Sequence, residues 1–398
     1  MNKDKHIPQG YKDSPLGIIP KEWEVKRLGD VCKISVGRDV QIDHFKETKT
    51  DKFRYPVYSN TVEEKGLYGY YDYEEYCSGA VTVVGRGVGL GTSFARDRGF
   101  GAIGRLVVLH PHNCLRNHFL ENYINNEVKF FVESAAIPQL TGEQIATYKI
   151  LIPPLSQQEK MENYINHWDT AIEKQSELIE KLTLRKRALM QQLLTGKKRL
   201  PGFSGEWKHV PIKSFANELS NRNIDGINYI VLSCTKYDGL VPSLKYFGKQ
   251  IYSNDLSSYK IIPQGHFAYA TNHIEEGSIG YQSNYENGLI SPMYTVFSTD
   301  NKMVDDTFLF AVLKSHHLIY LYKSMMEGSI NRRGGLRWDS FSTIKIDLPP
   351  LREQKAISAF LKDADKEIEL ANKKLNNLQS QKRGLMQQLL TGRKRIIG

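Results

Sequence analysis

One stretch of the chain occurs twice, and the distance between its two landmarks is the same in both copies. The octapeptide LMQQLLTG at residues 189–196 recurs unchanged at residues 385–392, and the tripeptide PPL at 153–155 recurs at 349–351. Both landmarks are displaced by the same interval, so the segment between them keeps its length while the sequence around it diverges. This pattern predicts two variable domains that are separated by two rigid spacers of equal length.

The repeat continues upstream of each spacer. Residues 140–154 align with 336–350, and KEWE at 21–24 resembles GEWK at 205–208. The distance from the tryptophan to PPL is 130 residues in the first copy and 142 in the second, so the second copy is longer by 12 residues. The predicted domains are a variable domain at 1–152, a long helix at 153–196, a second variable domain at 197–348 and a second long helix at 349–398.

Each spacer has the pattern of a long helix. Residues 156–194 contain no proline or glycine, and the proline pair before them disfavours an earlier helical start. Ser156 and Glu159 have the spacing of a capping box, and Gly196 stands where a helix C-cap glycine is expected. A helix of about 39 residues would be about 58 Å long.

The second spacer differs at two places. It ends in the same way at Gly392, but Arg352 replaces the capping serine, so its start is less clearly marked. It also carries an interior glycine, Gly384.

Apolar residues in both spacers alternate steps of three and four, which is the seam of a coiled coil. We expect the two helices to pair, and a pseudo-two-fold axis between equivalent units would make them antiparallel. The alternative is that each helix packs on its own domain. The predicted seam residues are Ile165, Trp168, Ile172, Ile179, Leu182, Leu189 and Leu193 in the first helix and Leu361, Ala364, Ile368, Leu375, Leu378, Leu385 and Leu389 in the second.

The variable domains have the pattern of mixed α/β (α+β) structure with many short strands. Residues 81–84, 106–109, 229–232 and 294–297 are β-rich runs bounded by turn residues. Residues 117–136 and 305–326 are predicted to be helical and lie at comparable places in the two copies.

The composition favours a polyanionic partner. The chain has 54 lysines and arginines against 44 aspartates and glutamates, a net charge of +10. Nucleic acid is the first candidate for a partner and a membrane surface the second. No apolar run is long enough to cross a bilayer, the N-terminus has no signal-peptide pattern, and the four cysteines are widely spaced. We therefore expect a cytoplasmic protein with reduced thiols.

No catalytic or metal-binding pattern is present. The sequence has no NPPY-type or DPPY-type motif, no Walker A motif and no HExxH. The glycine run at 85–91 lacks the GKS/GKT ending of a phosphate-binding loop. His316 and His317 lie in an apolar helical stretch, where packing is more common than metal ligation.

Several polar loops instead suit contacts with DNA. Arg86 lies within the glycine run and could grip a guanine edge or a phosphate, and Asn272 could make the bidentate contact that reads adenine. For each, the alternative is an ordinary surface turn. The basic clusters at the spacer ends complement the helix dipole, which is a sufficient role for them, and the alternative is a further role in binding DNA or a partner. The predicted DNA-binding residues are Arg38, Arg54, Arg86, Arg96, Arg222, Asn272, His273, Arg332, Arg333 and Arg337.

The order of these segments resembles the specificity subunit of type I restriction-modification systems. The resemblance rests on GIIPKEWEVKRLGDV at 17–31, IPPLSQQEK at 152–160, LPPLREQKAI at 348–357 and the two MQQLLTG segments, and it covers essentially the whole chain. The second copy is closer to the PPLxEQ pattern of the family than the first.

This resemblance implies a non-catalytic subunit with two target-recognition domains. Each domain would read one half of a split site in double-stranded DNA, and the two helices would hold the domains apart. The implied partners are two methyltransferase subunits and restriction subunits with helicase-nuclease activity. S-adenosylmethionine, ATP and magnesium would bind those partners, with no cofactor in this chain. The alternatives are a stand-alone bipartite DNA-binding regulator or antirestriction protein, and an enzyme whose site has no recognisable motif.

Overall fold

The computed structural model describes residues 7–131, 139–327 and 335–395 and divides into two compact units. The first unit comprises Met1–Glu177 and Lys373–Gly398, and the second comprises Leu178–Asn372. Each unit therefore contains one variable domain and part of both long helices. The units differ in this respect from the predicted division, which treats the helices as separate domains.

The first unit is built from short strands and short helices. Its strands are β1 (Tyr11–Ser14), β2 (Gly17–Pro20), β3 (Glu24–Arg27), β4 (Cys32–Val36), β5 (Phe45–Lys46), β6 (Tyr55–Tyr58), β7 (Leu67–Tyr71), β8 (Ala80–Val83), β9 (Ser93–Arg96), β10 (Gly101–Ala102), β11 (Val107–Pro111) and β12 (Lys149–Ile152). Its helices are α1 (Leu28–Val31), α2 (Asn117–Glu127), α3 (Gly142–Ala146) and the first part of α4 (Leu155–Leu193). The larger sheets have the strand orders β4-β11-β8-β9 and β10-β6-β7-β5.

The second unit repeats this plan. Its strands are β13 (Lys208–Pro211), β14 (Ala216–Leu219), β15 (Ile230–Thr235), β16 (Gly239–Pro242), β17 (Lys260–Pro263), β18 (Phe267–Ala270), β19 (Ile279–Tyr281), β20 (Asn287–Ile290), β21 (Tyr294–Thr299) and β22 (Lys345–Leu348). Its helices are α5 (Ser243–Phe247), α6 (Asp306–Leu313), α7 (His316–Glu327), α8 (Trp338–Phe341) and the first part of α9 (Leu351–Leu390). The larger sheets are β14-β21-β18-β19 and β16-β15-β20-β17.

The repeat seen in the sequence is thus a repeat of topology. The sheet β14-β21-β18-β19 has the same strand order as β4-β11-β8-β9, and all pairings in both sheets are antiparallel. The strand before each long helix pairs antiparallel with the strand after the repeated tryptophan, as β12 with β3 and as β22 with β13. All four predicted β-rich runs lie in or overlap strands, namely β8, β11, β15 and β21.

The helical predictions in the variable domains need correction. In the first copy α2 ends at Glu127, short of the predicted residue 136, and residues 132–138 lie outside the described part of the chain. In the second copy Lys314 and Ser315 separate α6 from α7, so the predicted single helix is two. His316 and His317 begin α7 and are exposed, so the prediction that they pack in the interior is wrong.

The two long helices run antiparallel within each unit, as predicted. In the first unit the start of α4 packs against the end of α9, because Met161 and Ile165 share a buried cluster with Met386 and Leu389. Further along, Asp169 of α4 pairs with Lys382 of α9 at 2.5 Å. As the residue number rises on one helix, the number of its partner falls on the other.

The second unit repeats this antiparallel contact with ion pairs of the same kind. Arg185 of α4 pairs with Glu367 of α9, and Lys186 pairs with Asp365. The 14 predicted seam residues are buried or half-buried in α4 and α9, and none is exposed.

Each helix starts where a glutamine fastens it to its own domain. Helix α4 begins at Leu155, so Ser156 lies inside the first turn and the predicted capping box is wrong. The buried side chain of Gln158 instead donates to the carbonyl oxygens of Pro153 (2.8 Å) and Cys114 (2.9 Å) and accepts from the backbone N–H of Arg116 (2.9 Å).

The corresponding residue in α9 makes the same set of bonds. Gln354 donates to the carbonyl oxygens of Pro349 (2.8 Å) and Met303 (3.0 Å), and it accepts from the backbone N–H of Asp305 (2.8 Å). Both glutamines are fully buried. This common set of bonds explains why α9 begins at the equivalent residue, Leu351, although it has no capping serine.

Each helix ends against the repeated tryptophan. Gly196 and Gly392 adopt the left-handed conformation expected of C-cap residues, with φ of 67° and 70°. A Cβ added to Gly196 would lie 3.6 Å from the Trp207 ring, and one added to Gly392 would lie 3.2 Å from the Trp23 ring. The repeated octapeptide is therefore a docking end that packs on a variable domain.

Candidate nucleic-acid interface

Four turns of the first unit are linked by hydrogen bonds, directly or through one another, to the segment that contains Asn60, and they form what we call the first loop cluster. These turns contain Arg38, Lys65, Arg86 and Arg105, and all four side chains are exposed. Asn60 accepts a hydrogen bond from the backbone N–H of Gly85 (2.8 Å) and donates to the carbonyl oxygen of Gly104. The side-chain amide of the half-buried Asn60 thus links the turns that carry Arg86 and Arg105.

Glycines allow these turns to approach one another closely. A Cβ on Gly37 would lie 2.7 Å from the carbonyl carbon of Ala102, and one on Gly85 would lie 3.2 Å from the carbonyl oxygen of Arg105. Within the predicted glycine loop, Gly87, Gly89 and Gly91 all have positive φ, so this connection between β8 and β9 requires glycine. Arg86 is displayed there, as the sequence predicts, and its backbone pairs with Gln139.

Arg96 does not belong to the exposed surface, which corrects its prediction as a DNA contact. Its side chain is only 4% exposed, and the guanidinium lies 3.4 Å from the centre of the Tyr58 ring. It donates to Thr82 Oγ1 (2.9 Å) and to the carbonyl oxygen of Lys65 (2.7 Å), and burial lowers its pKa to about 10. Arg96 is therefore a buried residue that stabilises the backbone of the turn containing Lys65.

A cleft of about 640 Å³ opens beside Arg38. It is lined by Arg38, Gln41, His44, Asp72, Tyr73 and Glu75. Asp72 pairs with His44 (2.9 Å) and Lys52 (3.2 Å). Burial by itself would raise the pKa of Asp72, but the hydrogen bonds from these two partners outweigh it and hold that pKa below its usual value. The cleft thus offers both donors and acceptors to a ligand.

The second unit places Asn272 where the first unit has Arg86. In the first unit the backbone N–H of Leu140 donates to the carbonyl oxygen of Gly85 (2.7 Å). In the second unit the corresponding Leu336 donates to Thr271 (2.9 Å). Asn272 and Arg86 therefore follow equivalent backbone contacts on equivalent strand connections.

A second loop cluster forms around Thr271. Its hydroxyl donates to the carbonyl oxygen of Met293 (2.9 Å) and contacts Asn272 Oδ1 at 3.2 Å. A Cβ on Gly335 would lie 2.5 Å from Asn272 Oδ1, and two residues later Arg337 is exposed. Asn272, His273, Met293 and Arg337 are all exposed in this second loop cluster, whereas Arg332 and Arg333 lie outside the described residues.

Two further predicted residues sit at comparable crossings between the sheets. Arg38 follows β4 and its backbone pairs with Ile103, and Arg222 follows β14 and its backbone pairs with Lys260. Both arginines are exposed. Arg54 is also exposed, and its guanidinium lies 5.2 Å from the centre of the Tyr55 ring. For these exposed residues, contact with DNA stays a prediction.

One group of potential metal ligands lies beside the second cluster. His273, Glu275 and Glu276 each bring a ligand atom within 4.8 Å of the others. His273 and Glu276 are exposed and form an ion pair with each other at 3.3 Å. This ion pair accounts for their proximity, so we assign no metal to the group.

Five residues of the two clusters are not among the predicted site residues, namely Asn60, Lys65, Arg105, Thr271 and Met293. The only sequence signal for Arg105 is its position after Gly104, in a turn just before a β-rich run. Asn60 and Met293 have no local signal, because their roles depend on contacts with distant segments. In the described part of the chain, no helix combines the length and apolar character that crossing a membrane requires.

Comparison with known proteins agrees with the duplicated architecture. The profile of the type I restriction modification DNA specificity domain matches residues 20–184 and again residues 207–380. The type I restriction enzyme MjaVIII specificity subunit of Methanocaldococcus jannaschii is 23% identical over 98% of this chain and 98% of its own length. The putative MjaX specificity subunit of the same organism is also 23% identical, over 98% of this chain and 97% of that protein.

Solved structures share the fold. The S subunit of a type I restriction-modification system from M. genitalium superposes with a TM-score of 0.54 at 13% identity, covering 92% of this chain and 96% of that one. The HsdS subunit from Thermoanaerobacter tengcongensis gives 0.56 at 15% identity, covering 94% and 98%. With two matched domains that together span most of its length, the chain belongs to the family of type I restriction-modification specificity subunits.

Proposed function

We propose that this chain is the non-catalytic DNA-reading subunit of a type I complex, in which each unit reads one half of a split target. The observation that carries this proposal is the pair of loop clusters. Arg86 follows β8 in the first unit and Asn272 follows β18 in the second, and these strands hold the same place in sheets of the same strand order. Both side chains are exposed and can donate hydrogen bonds. Arginine suits guanine and asparagine suits adenine, so the two units would read different half-sites.

The long helices would set the spacing between the half-sites and carry the methyltransferase subunits. Support for spacing comes from their equal length in sequence and their antiparallel contact in both units. Support for docking comes from a groove of about 460 Å³ on the first part of α4, lined by Asn163, Asn166, His167, Thr170, Ala171 and Lys174. This exposed groove offers a partner hydrogen-bonding side chains together with apolar contact surface, which is the combination found in protein interfaces.

Methylation mapping tests the proposal directly. The chain would be co-expressed with a type I methyltransferase subunit from its own source organism, in a host without other modification, and the host genome would be sequenced for methylated bases. The expected result is one split motif that requires both proteins. Methylation by the chain alone would identify an enzyme, and specific DNA binding with no dependence of methylation on the chain would identify a stand-alone regulator.

A matched pair of variants links each half of the motif to one unit. Arg86→Ala should relax only the half-site read by the first unit, and Asn272→Ala only the other half. Arg98→Ala provides a control, because Arg98 is an exposed arginine of the first unit that lies outside the first loop cluster. If both variants altered the same half-site, the assignment of one half-site to each unit would be wrong.

A further inference from the structure

The turn at Gly104 and Arg105 has an unusual backbone. Both residues adopt left-handed conformations, with φ of 63° and 66°. Gly104 tolerates this conformation, but Arg105 has a Cβ that crowds the following carbonyl group, so a glycine or asparagine would be preferred there. Among the described residues, Glu64, Lys65 and Arg105 are the ones other than glycine with positive φ, and all three lie in the first loop cluster.

The rest of the first loop cluster holds this turn in place. The N–H of Gly104 donates to the carbonyl oxygen of Arg38 (2.9 Å), and the N–H of Arg105 donates to that of Gly37 (3.0 Å). Asn60 donates to the carbonyl oxygen of Gly104, and the turn closes with a bond from Leu106 to Ile103 (3.2 Å). The backbone therefore fixes the direction in which the Arg105 side chain leaves the protein.

The side chain of Arg105 makes no polar contact that would stabilise the fold within the described residues. Arg105 is exposed, and within the described ranges its guanidinium has no hydrogen bond or ion pair. The same holds for Arg38 and Arg86, whose turns are bonded to that of Arg105 through the backbone or through Asn60. Three exposed guanidinium groups on adjoining turns are therefore free to bind an anionic or acceptor-rich ligand. A strained backbone conformation at a residue whose side chain does not stabilise the fold indicates that the side chain has a function.

We infer that Arg105 is a specificity-determining residue that contacts a guanine in the half-site read by the first unit. A flexible cation is sufficient to contact a phosphate, whereas a bidentate contact to guanine O6 and N7 requires a guanidinium that leaves the protein in a fixed direction. Arg38 and Arg86 flank this contact on adjoining turns. The inference rests on the proposed function and adds a base and a residue to it.

Two variants separate the functional role from a structural one. Arg105→Gly and Arg105→Asn both fit the left-handed backbone, so both proteins should fold with a urea midpoint equal to or above that of the wild type. In the assembled methyltransferase complex, each should lose discrimination at one guanine of the first half-site by about 5-fold to 150-fold, with the second half-site unchanged. Arg98→Ala should leave both half-sites unchanged.

Binding to a library of DNA sites at several salt concentrations measures these effects. Equal recognition by wild type and Arg105→Gly would overturn the inference while leaving the proposed function intact. A uniform loss across all sequences with a shallower salt dependence would identify a phosphate contact and would also overturn it. A lower urea midpoint for both variants would show that the side chain serves the fold, contrary to the inference. If the wild-type complex bound no specific site, the proposed function would fail as well.

Discussion

Arg199 and Glu353 form a bidentate ion pair in the second unit, and the carboxylate is almost completely enclosed. The side chain of Glu353 is 1% exposed, and Arg199 Nη2 lies 2.5 Å from its Oε2 while Nε bonds Oε1. The equivalent arginine in the first unit, Arg395, pairs at 2.6 Å with Glu22, whose side chain is 35% exposed. In both copies an equivalent arginine just after the end of a long helix forms an ion pair, but its partner glutamate lies at a different place in each copy.

Replacement of these arginines should have unequal effects. Arg199→Ala leaves the Glu353 carboxylate buried without its partner, which typically costs about 3–5 kcal/mol of unfolding free energy. Arg395→Ala breaks a solvent-screened pair and should cost about 0–1 kcal/mol. Urea unfolding followed by tryptophan fluorescence measures both, since Trp207 and Trp23 lie against the two helix ends. Equal losses would contradict the difference in burial.

The same comparison predicts what a compensating change does. Gln157 occupies the place in α4 that Glu353 occupies in α9, and it accepts a hydrogen bond from Trp23 Nε1 at 2.8 Å. The double variant Arg199→Ala with Glu353→Gln removes both charges and offers an acceptor near Trp207, whose Nε1 is buried and has no partner among the described residues. It should recover most of the stability lost in Arg199→Ala.

The two buried glutamines provide the second prediction. Gln354→Ala removes the partners of two carbonyl oxygens and one N–H, and each buried polar group left unpaired costs about 1–3 kcal/mol. We therefore expect a loss of several kcal/mol, and a similar loss for Gln158→Ala. Gln379 lies exposed on α9, so Gln379→Ala is the matched control and should change the unfolding free energy by less than about 0.5 kcal/mol. A Gln354→Ala protein as stable as the control would show that these bonds do not hold the helix start.

The third prediction concerns the interior glycine of α9. Gly384 is exposed within an unbroken helix, and a Cβ added there meets no atom within 4 Å. Gly384→Ala should therefore stabilise the protein by about 0.5–1 kcal/mol. The first copy has alanine at the equivalent position, so Ala188→Gly is the reverse control and should destabilise by a similar amount. Thermal unfolding of the two variants should shift in opposite directions, and a destabilised Gly384→Ala would disprove this account.

These comparisons explain how much of the molecule could be predicted from its sequence. The long helices and their antiparallel seam follow from periodicity, from the proline pair and from the terminal glycines, all of which act over a few residues. The start of α4 is predicted at the wrong residue because Ser156 has the correct local spacing, whereas Gln158 works through contacts with Cys114 and Arg116, far away in sequence.

The candidate site shows the same limit. Arg86 and Asn272 could be selected because each lies in a predicted loop and has a side chain that suits a contact with a base. Arg96 could not be told from an exposed arginine, since its burial depends on Tyr58 and Thr82, which belong to other strands. Local sequence thus indicates which loops carry donors, while tertiary packing decides which of those donors reach solvent.

The last prediction tests whether the helices set the distance between half-sites. The interval from Asp169 to Lys186 on α4 equals that from Asp365 to Lys382 on α9, so removing seven residues between each pair preserves the seam and both ion pairs. Deletion of residues 173–179 together with 372–378 shortens each helix by about 10 Å, which corresponds to about three base pairs. Methylation mapping should then show a shorter spacer or no recognition. A control variant of wild-type length, with alanine at the exposed residues of these two segments, should keep the original spacer. Full methylation at the original spacer by the deletion variant would contradict the proposed role of the helices.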